Sequence, residues 1–165
     1  MKKIVLFFII ICALSSCKDL PIIETNKKVP MYPDYTDITM PVNIAPLNFL
    51  LRNSANGIKV LVNNKELYNG DGNEVCFNIS DWKDFTKQYA GKTVSVKVMA
   101  CQDNKWISYK SFKWQIVKDS IDSYLTYRLI EPDYEIFNNL QIRQRCIENF
   151  DEEALCDHNL VNNNC

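Results

Sequence analysis

Thr93 to Ala100 alternates without a break: Val94, Val96 and Val98 fall on one side of an extended chain, Thr93, Ser95 and Lys97 on the other. Successive side chains of a strand point to opposite faces, so such a run has one face to bury and one to wet. The period returns along Trp106 to Val117, where Phe112, Trp114 and Ile116 share a face. It recurs in Leu47, Phe49 and Leu51 and again in Val75, Phe77 and Ile79, and Ile58 to Val62 reads as a further strand. Turn formers separate these runs: Asn53 to Gly57, Asn63-Asn64, Asn69-Gly70-Asp71-Gly72 and Asp103-Asn104. Asn and Gly accept positive φ at low cost, and Asn69 to Gly72 is the strongest hairpin signal in the chain. Short strands at this spacing predict a mainly β fold, an immunoglobulin-like antiparallel sandwich over about residues 40–130. One interruption reads as helix. Ser80 or Asp81 can cap it, it runs to about Tyr89, and Gly91 stops it. The Cys…Trp…Cys pattern of antibody domains is not clearly present, so the expectation concerns architecture only.

The flanks read differently. Residues 17–39 carry Pro21, Pro30 and Pro33 among polar neighbours and show no helix period, which predicts an extended tether. Tyr32-Pro33-Asp34-Tyr35 marks the point where that tether would dock on the body. At the other end, residues 131–165 form a C-terminal extension. Asp133 to Leu140 suits a short helix, and Gln141 to Phe150 a strand or an extended arm. Residues 151–165 are acidic and then Asn-rich, and are expected to be a poorly ordered tail.

The first residues fix a compartment. Met1-Lys2-Lys3 precedes an apolar run from Ile4 to Leu14, followed by Ser15-Ser16-Cys17. A spanning helix needs about 20 apolar residues. This run is shorter, and its flanks suit a signal peptide over residues 1–16. No Ala-x-Ala-like cleavage site follows; Leu14-Ser15-Ser16-Cys17 instead matches a lipobox. In proteins that carry one, the cysteine sulfur receives diacylglycerol and the chain is cut before it. Cys17 is thus the expected lipidation site and mature N-terminus, with palmitate-type acyl chains holding the protein on a membrane. Two acyl chains anchor stably where one is marginal. The expected location is the bacterial cell envelope, the outer membrane in preference to the inner. Lys18-Asp19 faintly resembles a surface-export signal, but with one acidic residue the periplasmic face is preferred to the cell surface.

Without residues 1–16 the chain keeps 17 basic against 20 acidic residues, a net formal charge of about −3. Its longest basic cluster is Lys27-Lys28, so a nucleic-acid partner is not expected. Four glycines and one histidine argue against Gly-rich nucleotide loops and His-based metal cages. Of the seven cysteines, Cys12 lies in the signal and Cys17 is the lipid site; Cys76, Cys101, Cys146, Cys156 and Cys165 remain. Export permits disulfides. Cys76 with Cys101 is the first candidate pair and Cys146 with Cys156 the second, against the alternative that they are small buried hydrophobes. No Cys-x-x-Cys spacing supports a zinc site.

Catalytic constellations are sparse. His158 stands beside Asp157 and near Cys156 in the polar tail, with no scaffold to orient a dyad. Glu152-Glu153 and the pair Asp119 and Asp122 read as solvated charge rather than an acid–base pair. Asn78-Ile79-Ser80 fits a glycosylation acceptor, which the bacterial lipobox makes a chance match. Trp82, Trp106, Trp114, Tyr109 and Phe112 could form a carbohydrate platform; the competing reading makes the alternate ones core. The expectation is a non-enzymatic binding or assembly module with no cofactor, and an envelope protein as its partner.

Several segments together resemble one family: Tyr32 to Tyr35, Ile38 to Pro41, Asn43 to Phe49, Ile121 to Leu125, Tyr127 to Pro132, Tyr134-Glu135, Gln144-Arg145 and Glu148 to Phe150. In this order they are similar to the N-terminal region of the large TolB-like lipoproteins of Bacteroidetes, often labelled cytochrome c biogenesis proteins. There a β-sandwich module precedes a Cys-x-x-Cys-His segment and a TolB-type β-propeller. The resemblance spans about residues 31–165. It makes Cys165 the counterpart of the first cysteine of that haem motif; the second cysteine, the histidine and the propeller have no counterpart here. The resemblance thus implies a truncated relative, with haem c only if a further C-terminal segment completes the motif. On that alternative the chain is the N-terminal part of a redox lipoprotein.

Overall fold

The computed structural model describes residues 20–129 and 141–157. In chain order its elements are β1 (Ile22–Glu24), β2 (Met31–Tyr32), β3 (Ile38–Pro41), β4 (Phe49–Leu51), β5 (Gly57–Val62), β6 (Lys65–Asp71), β7 (Glu74–Val75), α1 (Ile79–Gln88), β8 (Lys92–Gln102), β9 (Lys105–Ser108), β10 (Phe112–Val117), β11 (Tyr124–Leu129), β12 (Gln141–Cys146) and β13 (Glu152–Asp157). Among the described residues the fold is mainly β, an immunoglobulin-like sandwich with one short helix.

The long strand β8 organises the larger sheet. On one edge it pairs antiparallel with β5, which pairs with β6. On its other edge lie β9 and β10, end to end. Outside them, β1 runs parallel to β9 and β3 parallel to β10. The smaller sheet has the order β2-β4-β7. One core joins the two layers: Met31, Phe49, Leu51 and Val75 from the small sheet, with Phe77 just after it, meet Ile58, Val60, Val94, Val96, Val98, Trp114 and Ile116 from the large one. The alternating residues read from the sequence supply most of this interior; Ile79, expected on one strand face with Val75 and Phe77, is exposed and begins α1, because the strand ends at Val75.

Helix α1 crosses between the layers because its apolar residues share a stripe. Trp82, Phe85 and Thr86 are buried, at the i, i+3, i+4 spacing of one helical face. Trp82 stacks on Phe77 at 4.9 Å and meets Trp114 edge-on at 5.8 Å. The cap is Asn78, not Ser80 or Asp81; its Oδ1 accepts from the amides of both. The helix closes before Gly91, whose φ of 77° is the left-handed conformation expected of that stop.

The tether assignment of residues 17–39 changes for its described part. From Ile22 onward the chain is an edge of the sandwich, and Val29 and Met31 are core residues. Prolines do not prevent this, since an edge strand needs only its inner hydrogen bonds. Trp106 donates to the Pro21 carbonyl, Thr25 to Ser108 and Lys110 to Lys27. Tyr35, expected as the docking point, accepts the Trp114 indole N–H at 2.8 Å.

Turn positions divide in the same way. Asn63-Asn64 and Asp103-Asn104 adopt positive φ at both residues and close tight hairpins. Asn69-Gly70 does not turn. It lies within β6, where Gly70 pairs with Ile58 and the Tyr68 ring folds over it, so a Cβ there would lie 2.5 Å from the Tyr68 hydroxyl. The chain turns later, at Gly72 (φ 80°), where it crosses from the large sheet to the small one.

Candidate interaction surface

Beyond β10 the chain builds a third sheet, β11-β12-β13, antiparallel throughout. Gln141 to Phe150 is thus a strand followed by a bend, one of the two forms expected. Residues 152–157, expected in a poorly ordered tail, form β13. The local composition of β13 is acidic, but its neighbour supplies two arginines. Arg145 faces Glu152 across the ladder, and Arg143 Nη1 reaches Glu152 Oε1 at 2.6 Å. Tyr127 donates its hydroxyl to the same oxygen at 2.6 Å. Hydrogen bonds from Tyr127 and Arg143 hold the Glu152 carboxyl below the ordinary range, and the same bond pushes the Tyr127 phenol up. The expected helix over Asp133 to Leu140 lies outside the described residues.

Among the described residues this sheet has no core of its own. Tyr124, Leu125 and Leu155 are 59%, 57% and 51% exposed, and Ile142 and Phe150 are exposed as well. The paired register sorts the sides. Leu125, Tyr127, Leu129, Arg143, Arg145 and Glu152 share one face; Tyr124, Thr126, Arg128, Ile142, Gln144 and Cys146 share the other. Singly exposed apolar residues are ordinary, but a small sheet with both faces wet is not.

A polar joint fixes the third sheet to the sandwich. The Ala45 amide donates to Ile147, and Ile147 to Ser123. Asn43 is bonded to Ile121 in both directions, its Nδ2 donating to the carbonyl and its Oδ1 accepting from the amide. Glu148 closes the cluster: Ser123 Oγ donates to it at 2.7 Å, Asn43 Nδ2 at 3.3 Å, and Lys83 of α1 lies 3.7 Å away. Those hydrogen bonds, with Lys83 a smaller contributor, lower the Glu148 pKa. No local pattern announces this joint. Its members are up to 105 residues apart.

The other candidate residues separate. Cys17, Cys165 and His158 lie outside the described residues. Cys76 and Cys101 are free thiols, not a disulfide. Cys101 is buried on the outer side of the large sheet, register partner of Gly57 and Trp106. Cys76 is exposed beside the small sheet; partial desolvation of the thiol, and then its hydrogen bond to Glu74, raise its pKa. Cys146 and Cys156 are free as well: Cys156 faces Ile142, four residues along β12 from Cys146, so the strand separates them by about 13 Å. The carbohydrate platform dissolves, because Trp82, Trp114, Tyr109 and Phe112 are buried. Trp106 alone reaches the surface, under the Lys59 ammonium at 4.9 Å. A depression of about 330 Å³ lies beside α1, lined in part by Phe85, Tyr89, Glu66, Asp81 and Asp84. Among the described residues no helix is long and apolar enough to cross a membrane.

Compared with protein-family models, with curated proteins and with solved structures, the chain gives no match.

Proposed function

We propose that the protein is a lipid-anchored component of a bacterial envelope whose sandwich presents a non-catalytic binding or assembly surface. The observation that carries the binding role is the third sheet, which exposes apolar residues on both faces while a polar joint holds it to a packed core. Leu14 to Cys17 supports the anchor, and the resemblance to the sandwich module of TolB-like lipoproteins supports both. On this reading Cys17 bears the acyl chains, the sandwich gives rigidity and the third sheet meets an envelope protein.

The anchor is tested by labelling cells with radioactive palmitate and fractionating them. The wild type carries label and stays with membranes; Cys17→Ser carries none and appears in its unprocessed form. Equal labelling of both would overturn the anchor. For the surface, a photoreactive residue replacing Leu125 should capture one defined envelope protein in intact cells, while the same residue replacing exposed Lys113 should not. No capture from Leu125, or equal capture from both, contradicts the binding role.

A further inference from the structure

The third sheet has two outer strands, and they differ. The outer strand β13 carries Glu152, Glu153 and Asp157, and its ladder is broken by a bulge opposite Ile142 and Arg143. Charge and bulges are how natural sheets blunt an edge. The opposite strand, β11, has neither device: Tyr124-Leu125-Thr126-Tyr127-Arg128-Leu129 pairs with β12 over six residues without interruption and holds one charge.

The hydrogen-bond phase shows which groups of β11 face outward. Ile147 donates to Ser123 and Cys146 to Asp151, so the odd-numbered residues of β11 turn their peptide groups towards β12. The amides and carbonyls of Tyr124, Thr126 and Arg128 face away from it, and no described strand pairs with them.

We infer that β11 is a self-pairing edge, joining two copies of this chain antiparallel about a two-fold axis at Tyr127. The sequence is complementary to itself in that register. Leu125 meets the other copy's Leu129 twice, Tyr127 meets Tyr127, and Thr126 meets Arg128 twice through the outward-facing backbone groups. The apolar residues on one face of the two β11 strands become continuous, and the two Arg128 side chains do not face each other. A β13–β13 pairing would instead bring like carboxylates together. An isologous contact of this kind closes at two copies.

The test uses the full lipidated chain, in its native membrane and in detergent. Tyr127 would occupy a non-hydrogen-bonded pair, where opposed Cα atoms lie about 4.5 Å apart, within disulfide reach. Under mild oxidation Tyr127→Cys should therefore form a reducible homodimer at least tenfold more abundant than wild type, whereas Leu155→Cys should match wild type. Thr126→Pro removes an outward N–H and leaves the β11–β12 ladder intact; it should lower the homodimer fraction at least tenfold while near-ultraviolet circular dichroism stays unchanged. Absence of any homodimer, a homodimer indifferent to Thr126→Pro, or a Tyr127→Cys bond to a different protein would each overturn the self-pairing edge.

Discussion

Trp114 concentrates the physics of the core in one side chain. It is fully buried, it meets the rings of Trp82, Phe85 and Phe112, and its indole N–H satisfies the Tyr35 carbonyl. Burial of so large a ring is favourable only because that N–H is paired. Replacing Trp114 by Ala opens a cavity at the meeting of sheet, helix and N-terminal segment, and should cost about 3–5 kcal/mol. Trp114→Phe keeps much of the volume but leaves the Tyr35 carbonyl unpaired, and should cost about 1–3 kcal/mol. Urea unfolding should show both as lower midpoints with an unchanged slope. A loss below about 1 kcal/mol for the alanine variant would contradict this role.

At the scale of elements the joint between sandwich and third sheet rests on Glu148. Its folded pKa lies below the ordinary glutamate value, because Ser123 and Asn43 donate to the ionised form. The stability it contributes is fully present above the ordinary range near about pH 4.3, and is lost as pH falls through the lower folded value. Glu148→Gln should therefore loosen the joint at neutral pH, seen as faster hydrogen exchange at the Ala45 and Ile147 amides, and should flatten the acid-side loss of protection. Wild-type exchange rates in the variant would show that the backbone bonds suffice.

The same scale shows how much of the fold was legible. Alternation located the strands and inward residues of β8 and β10, because a half-buried strand writes its period into adjacent residues. Gly91 marked the end of α1 for a similarly local reason. The edge strands β1 and β2 did not show, since one row of hydrogen bonds to β9 or β4 decides them and tolerates Pro21, Pro30 and Pro33 nearby. β13 looked like tail because its acidic residues were read without Arg143 and Arg145. Gly70 looked like a turn and is instead a place for the Tyr68 ring. The third sheet as a surface, and the Glu148 joint within it, depend on long-range pairing that no local pattern records.

For the whole molecule, two ends of the chain are given different tasks. On the proposed reading the apolar start and Leu14 to Cys17 tie it to a membrane, and the third sheet, which exposes apolar and charged residues farther along the chain, is the surface a partner would meet. For a chain processed at Cys17, as proposed, the net formal charge of about −3 gives no general attraction to anionic lipid, and on that reading attachment would rest on the acyl chains. The most direct measurement is the intact mass of the protein extracted from its native membrane. The account predicts a chain beginning at Cys17 with the added mass of a diacylglyceryl group. A chain still beginning at Met1, or one beginning at Cys17 without acyl mass, would contradict it.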